Sequence, residues 1–232
     1  MLILGLDPGA EGALTVLSAD GEAGDPRAVF VASWGPSGDR CAASWSGSGT
    51  ATRRRASSDT LVETLVRLAR FGMRDLGQID AVVFEGAYVG PNPRGALTGA
   101  ATRGAILAAL QVELWLGRSV PVREIANGSW WTLCGMPPSM TAREDRKRES
   151  VRRVPLLVPG LADLLEQVPG GDHATDSAAI AFAGVRHGAA RGEPGEWKAR
   201  VDRACGKVKR AAPKRGGAEV AERPPRKTRS AR

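Results

Sequence analysis

The stretch Leu2-Ile3-Leu4-Gly5-Leu6-Asp7-Pro8-Gly9 decides how this chain is read. Its opening residues are apolar apart from Gly5, the composition of a strand buried on both faces, and Asp7 stands where Pro8-Gly9 and then Gly12 turn the backbone. Ala13 to Ser18 reads as the second arm of a hairpin with Asp7 at its end, and after the Asp20-Gly21 turn signal Ala28 to Trp34 gives a third strand. Residues 35 to 58, rich in Gly, Ser and Arg and without periodicity, read as a long loop that contains Arg53-Arg54-Arg55. From Asp59 the spacing of Leu61, Leu65, Leu68 and Ala69 predicts a helix. Ile79 to Phe84 is an unbroken apolar strand that delivers Glu85 at its C-terminal end. A helix over 94–116 carries Gly95, Gly99, Gly104 and Ala108, small residues that permit close packing. Val120 to Ile125 is the fifth strand, followed by an irregular stretch with Trp130-Trp131, a charged helix near 141–154 and a last helix from Asp172 to His187. The order β-β-β-α-β-α-β-α describes one α/β domain, placed at residues 1–190.

Composition sets the remaining bounds. A chain of 232 residues that is 42% hydrophobic can bury one good core. No apolar run approaches the roughly 20 residues of a membrane span, and no secretory leader is evident, so no membrane role is expected. Cys41, Cys134 and Cys205 lack CxxC spacing, which suggests neither a zinc site nor a disulfide framework and fits a reducing cytoplasm. The net charge of +8 belongs to the C-terminus: from Lys198 to Arg232 there are 13 Lys or Arg against 3 Asp or Glu. Residues 191–232, rich in Pro, Gly and Ala and poor in large apolar side chains, are read as a disordered basic tail, either a solubilising appendage or an arm for a polyanion.

Hydrolysis of a phosphodiester by two divalent ions needs carboxylates converging on metals roughly 3.5 to 4 Å apart. Asp7 and Glu85 close strands, while Asp172, His173 and Asp176 open the last helix, where positions 173 and 176 share a face. Each residue also has a plainer reading. Asp7 before Pro-Gly shapes a turn, Asp172 caps a helix, Glu85 is a solvated strand end, and a single His near a helix start is more often structural than a ligand.

Taken in order, these segments resemble the RuvC-type Holliday junction resolvases of the RNase H-like nuclease superfamily. Ile3 to Gly9 looks like that family's opening strand. Val83-Phe84-Glu85-Gly86-Ala87-Tyr88, with Gly99 to Ile106 after it, is similar to its second acidic motif and following helix, and His173-Ala174-Thr175-Asp176 with the alanine-rich run beyond resembles its closing motif. The resemblance covers about residues 1 to 188. It implies an RNase H-like fold with a mixed five-stranded sheet flanked by helices, and Asp7, Glu85, His173 and Asp176 as catalytic metal ligands for two Mg²⁺ or Mn²⁺ ions. It further implies a homodimer that cuts branched DNA, Holliday junctions above all, in recombination and repair. Tyr88 takes the place of an aromatic that contacts DNA in the family, with an ordinary core or surface tyrosine as an equal reading; Arg143, Arg146, Lys147 and Arg148 resemble basic residues that hold phosphates there, while the interspersed Glu144, Asp145 and Glu149 also fit a solvated helix. Asp172 aligns with no family ligand and is read as a cap or a supporting group. The loop at 35–58 and the basic tail depart from the family pattern.

Two other classes compete. Asp-x-Gly in a first hairpin also opens the phosphate loop of actin-like ATPases and sugar kinases, but this chain shows no second copy of such a domain. A DNA-binding module without catalysis, or a nuclease for flaps or forks, shares the same residues.

Overall fold

The computed structural model describes residues 1–8, 11–20, 24–34, 40–46, 49–54, 76–86, 100–108, 119–126, 128–137, 140, 142–168 and 171–207, and for residues 40, 49–54 and 143 the backbone alone. Seven strands form one sheet: β1 (Leu2–Asp7), β2 (Gly12–Ser18), β3 (Arg27–Trp34), β4 (Arg40–Trp45), β5 (Gly49–Arg54), β6 (Ala81–Glu85) and β7 (Val122–Ile125). Their order across the sheet is β5-β4-β3-β2-β1-β6-β7. β1 to β5 are joined antiparallel, whereas β6 lies parallel to β1 and β7 parallel to β6. An antiparallel meander continued by parallel strands beyond β1 is the RNase H-like arrangement.

The five strands expected from the sequence are all present, but the sheet has seven, because the 35–58 loop assignment is overturned. Residues 40–45 and 49–54 form a hairpin, and β4 pairs along β3 from Trp34↔Cys41 to Phe30↔Trp45. Small residues of weak strand preference adopt this form because β3 presents an open edge and because Cys41, Ala42 and Ala43 become buried there.

Five helices complete the described fold: α1 (Ser129–Leu133), α2 (Arg143–Leu157), α3 (Leu161–Leu165), α4 (Gly171–Arg186) and α5 (Pro194–Ala204). Residues 100–108 are also helical; the rest of the expected 94–116 helix, the helix from Asp59, Tyr88 and residues 208–232 lie outside the described residues. Among the described residues no helix is long and apolar enough to cross a membrane.

The central strand sorts its side chains by parity. Leu2, Leu4 and Leu6 join Leu14, Val16, Phe30 and Ile106 in a core on one face, while Ile3 joins Ala178, Ala181 and the tryptophans of α1 on the other. Helix α4 lies across this second face at very close range. A Cβ on Gly5 would come within 2.1 Å of the Ser177 carbonyl oxygen, and one on Gly184 within 2.7 Å of Val83. Only glycine permits this approach, which sets the first turns of α4 beside the C-terminal end of β1. Buried Thr15 completes the seam, its hydroxyl 2.6 Å from that of Ser177.

The tail expected from residue 191 is corrected for its first part. α5 is an ordered helix with a capping box between Glu193 and Glu196 and Pro194 at its start. Trp197 and Val201, four residues apart, are buried, and the Trp197 indole donates to the Glu124 carbonyl oxygen at 3.1 Å. Buried Arg123 of β7 bonds the carbonyls of Ala189 and Gly192, which ties down the connection from α4 to α5.

Candidate active site

Strand parity and the parallel pairing of β1 with β6 determine where the acids fall. Asp7 shares a face with Ile3 and Gly5, and Glu85 shares one with Ala81 and Val83, so both carboxylates look toward α4 from adjacent strand ends. His173 lies in the first turn of α4 and Asp176 three residues on. His173 Nδ1 is 2.7 Å from Asp7 Oδ2, and its Nε2 is 3.6 Å from Glu11 Oε2, in the turn between β1 and β2.

The other two acids are each held from behind. Glu85 Oε1 accepts a hydrogen bond from the Trp130 indole at 2.7 Å. Asp176 Oδ1 accepts one from the Ser150 hydroxyl at 2.7 Å, and Ser150 is fully buried on α2. These donors come from segments 45 and 26 residues away, so each carboxylate is oriented by tertiary packing rather than by its own element.

Gathering these charges has an electrostatic cost. Burial pushes the Glu85 carboxyl up from 4.5 to about 7; the Trp130 N–H opposes that, and the Asp7 charge adds to it. Burial likewise raises Asp176 from 3.8 to about 7, against the Ser150 hydrogen bond and with the charges of Asp7 and Glu85 behind it. The His173 ring is raised as well, which for this group favours the charged form: its bond to Asp7 lifts it above the ordinary imidazole range despite burial. Asp7, Glu85 and Asp176 thus feel one another as like charges, with His173 the nearby cation.

The donor set, three carboxylates and one imidazole, is hard and oxygen-rich and fits Mg²⁺ or Mn²⁺. As arranged in this structure it is not a ready-made cage. Among the described residues no group of three or more His, Cys, Asp or Glu is already disposed around a metal position. His173 Nδ1 is turned to Asp7, Glu85 to Trp130 and Asp176 to Ser150.

Of the basic residues expected at the site, Lys147 of α2 is the one placed beside this group among the described residues. Lys147 bonds Asp172, whose carboxyl burial would raise but which this ammonium and the neighbouring His173 hold below its ordinary range. Arg146 donates to the Met140 carbonyl at 2.7 Å, and exposed Arg148 lies 3.8 Å from Asp145. The Arg143 side chain and all of Tyr88 are outside the described residues. Sequence reading passes over Trp130, Ser150 and Glu11. Only Glu11, an acid inside the turn that follows Asp7, carries a local signal.

Solved structures to which the chain is similar include Thermus thermophilus RuvC in complex with Holliday junction substrate, at 17% identity, covering 82% of this chain and 94% of that one with a TM-score of 0.48. A second Thermus thermophilus RuvC structure gives 18% identity over the same shares and a TM-score of 0.49. The yeast mitochondrial Holliday junction resolvase Ydc2 gives 13% identity, 88% of this chain, 85% of that one and a TM-score of 0.46. No family model and no curated protein matches the chain. The chemistry therefore rests on this chain's own side chains.

Proposed function

We propose that the chain is a divalent-metal-dependent endonuclease that hydrolyses phosphodiesters in branched DNA, with the four-way junction as its main substrate. One observation carries this reading: Asp7 and Glu85, at the C-terminal ends of adjacent parallel strands, face His173 and Asp176 on a helix held against β1 at Gly5. Four potential ligands from three rigid elements, with two of the carboxyls raised to about 7, form a site where the charge is costly unless a cation offsets it. Asp7, Glu85, His173 and Asp176 would hold two Mg²⁺ or Mn²⁺ ions, which when bound supply Lewis acidity at the phosphodiester.

The chain's own residues do the rest. Trp130 and Ser150 fix one oxygen each of Glu85 and Asp176 and leave the other oxygen for a ligand. Asp172 keeps Lys147 at the rim of the acidic group, a cation placed where a DNA phosphate would approach. In the same reading the protein is a two-fold dimer, so that two equivalent sites meet the two strands of a junction. The small face of residues 100–108, where a Cβ on Gly104 would meet nothing within 4 Å among the described residues, is our candidate for such contact.

The test is cleavage of end-labelled four-way junction, flap, fork and linear duplex in Mg²⁺ and in Mn²⁺. The expected result is paired nicks in two junction strands of like polarity and little cutting of linear duplex. Flap or fork cutting without junction cutting would move the substrate, and no cutting of any DNA in either metal would overturn the assignment.

A further inference from the structure

On the side of Glu85 away from Asp7 the sheet ends in β7, a strand of four residues with no further strand beyond it among the described residues. Short as it is, β7 fixes the end of β6. Ile125 pairs with Glu85, and its carbonyl oxygen accepts the Gly86 N–H at 2.8 Å. An edge strand of this length keeps its place only as well as whatever lies against it. Here that is α5, whose buried Trp197 donates its indole N–H to the Glu124 carbonyl oxygen at 3.1 Å, one residue before Ile125.

The Glu85 side chain is reached from the same helix by a second route. Trp130, which donates to Glu85 Oε1, belongs to α1. Five residues make little more than one helical turn, too short to be stable alone, and Gly128 gives α1 no side-chain cap. Its position therefore depends on what packs around it. On the α4 side the Cys134 thiol lies 3.8 Å from the Ala179 carbonyl oxygen. On the α5 side the buried Ser129 hydroxyl accepts from the Lys207 ammonium at 2.6 Å, and the Cys205 thiol lies 3.7 Å from the Ser129 carbonyl oxygen. Lys207 is exposed, yet its backbone is fixed, because α5 ends in a Schellman turn. Gly206 stands at φ +68°, its N–H bonds the Arg203 carbonyl at 3.0 Å, and the Lys207 N–H bonds that of Asp202 at 2.8 Å. This turn brings Lys207 back to α1.

We propose that α5 and the turn that ends it position Glu85, with Trp197 acting through Glu124 and Lys207 through Ser129 and Trp130. Neither touches the carboxylate. Trp197 secures the main chain that carries it and Lys207 secures the indole that orients it, across 73 and 78 residues of sequence. A metal site tolerates ligand distances only within about 0.2 Å of ideal, so play in either support weakens the hold on an ion. Groups that orient a ligand directly are worth about 10- to 100-fold in metal affinity, which puts supports one step further back at about three- to tenfold. The metal part of this inference rests on the proposed role of Glu85 as a ligand; the positioning of its side chain does not. Arg200 lies on the same helix but bonds only the carbonyls of residues 187, 188 and 191, away from both routes.

The test uses the full chain and has a metal-free arm, so its failure is separable from failure of the metal reading. In EDTA the Trp130 indole N–H resonance is identified among those of the six tryptophans by its loss in Trp130→Phe. In Lys207→Ala and in Trp197→Phe it should move toward its position in Glu85→Ala, where the bond is absent. Lys207→Arg, which keeps a donor, and Arg200→Ala should leave it near the wild-type position. Lys207→Ala changes an exposed residue, so it decides the matter even if Trp197→Phe costs the fold. In the second arm Mn²⁺ binding without DNA is measured by the EPR signal of the free ion, on protein that is folded by circular dichroism. Lys207→Ala should weaken binding by about three- to tenfold and Trp130→Phe by at least as much. Adding Lys207→Ala to Trp130→Phe should cost little more, because Lys207 acts through the indole. An indole that stays in place in Lys207→Ala, or that moves as far in Arg200→Ala, overturns the positioning role. A moved indole with unchanged Mn²⁺ affinity, or additive losses in the double variant, overturns the route from Lys207 to the metal. If the wild type binds no Mn²⁺, the metal reading fails, and the indole still decides whether α5 positions Glu85.

Discussion

The two ends of helix α4 are built on opposite electrostatic plans. At its N-terminal end Asp7, Glu85 and Asp176 are crowded together, two of them with carboxyls raised to about 7. At its C-terminal end Arg200 is spent on three carbonyl oxygens of the chain that turns there. Helix polarity favours acids at the first end and cations at the second, yet at the first end the partners within the fold, His173 and Lys147 among them, leave two carboxyls raised. The difference separates a device for stability from a site that waits for a counter-charge.

The sharpest way to break this comparison is to remove a carboxylate. Asp7→Asn or Glu85→Gln should lower junction nicking by about 10³-fold or more, equivalent to about 4 kcal/mol of transition-state stabilisation. Metal-free junction binding should stay the same or tighten, because a negative charge near phosphate has gone. Gel shift and single-turnover nicking measured together check both halves, and near-normal nicking would detach these residues from catalysis.

The same end should gain stability as it loses function. The Asp176 carboxyl is raised in the fold from 3.8 to about 7, so the native state prefers it protonated. Its destabilising effect is absent below about pH 4, grows as pH rises from there to about 7 and is complete above it, because the unfolded chain releases that proton earlier. In EDTA at pH 8, Asp176→Asn should therefore raise stability by on the order of 3 kcal/mol, and the gain should vanish below pH 4. Added Mn²⁺ should stabilise wild type more than the variant. Denaturant titrations across that pH range test it, and equal stability at pH 8 would show that the charges are already relieved.

At the other end the effect should reverse. Arg200→Ala removes three hydrogen bonds to chain carbonyls, although the Gly188 oxygen keeps the Arg191 N–H as a donor, and about 1 kcal/mol per hydrogen bond puts the loss near 2 to 3 kcal/mol. Arginine itself does not titrate between 5 and 8, so the loss should be flat near pH 8 and shrink somewhat toward pH 5, where His187, held down by burial and by the Arg200 charge in the wild type, is easier to protonate in the variant. Junction nicking by the folded fraction should persist, and a melting curve beside the nicking assay would show whether the two ends are separable.

The two ends are also unequally legible in the sequence. Asp7, Glu85, His173 and Asp176 sit at strand ends and on one helix face, positions that periodicity exposes, and the central sheet follows from the same apolar runs. What escapes is whatever depends on contact across the chain. Trp130 reaches Glu85 over 45 residues and Ser150 reaches Asp176 over 26, and neither position is marked by its neighbours. β4 and β5 form because β3 offers an edge, which no local preference of Arg40 to Arg54 announces. α5 is more accessible. Its basic composition conceals Trp197 and Val201 at helical spacing and a capping box at Glu193, a pattern that can be read once net charge is set aside.

The smallest expected effect concerns His173, the one group at the acidic end that can change sign. Sequence alone suggests that an imidazole among three carboxylates leans the site toward Mn²⁺ over Mg²⁺, with nicking falling away as pH drops through about 6.5. The structure changes the second part. The Asp7 carboxylate bonded at 2.7 Å favours the charged ring and raises its pKa, so an ion must displace a proton held more firmly than in a free imidazole. At limiting metal the acid limb of nicking should therefore lie above 6.5, and it should move to lower pH as Mn²⁺ is raised toward saturation. The stability that the charged pair supplies is present below 6.5 and is lost as pH rises through the raised value. His173→Asp should remove the imidazole's share of the acid limb, leave the share of Glu85 and Asp176, whose carboxyls are raised to about 7, and narrow the Mn²⁺ advantage by a fewfold, whereas His173→Ala should need more of either metal. Metal-dependent acid limbs that coincide in wild type and His173→Asp, with the same metal preference, would mean that His173 acts only by holding Asp7, which would leave the three carboxylates alone as the candidate ligands.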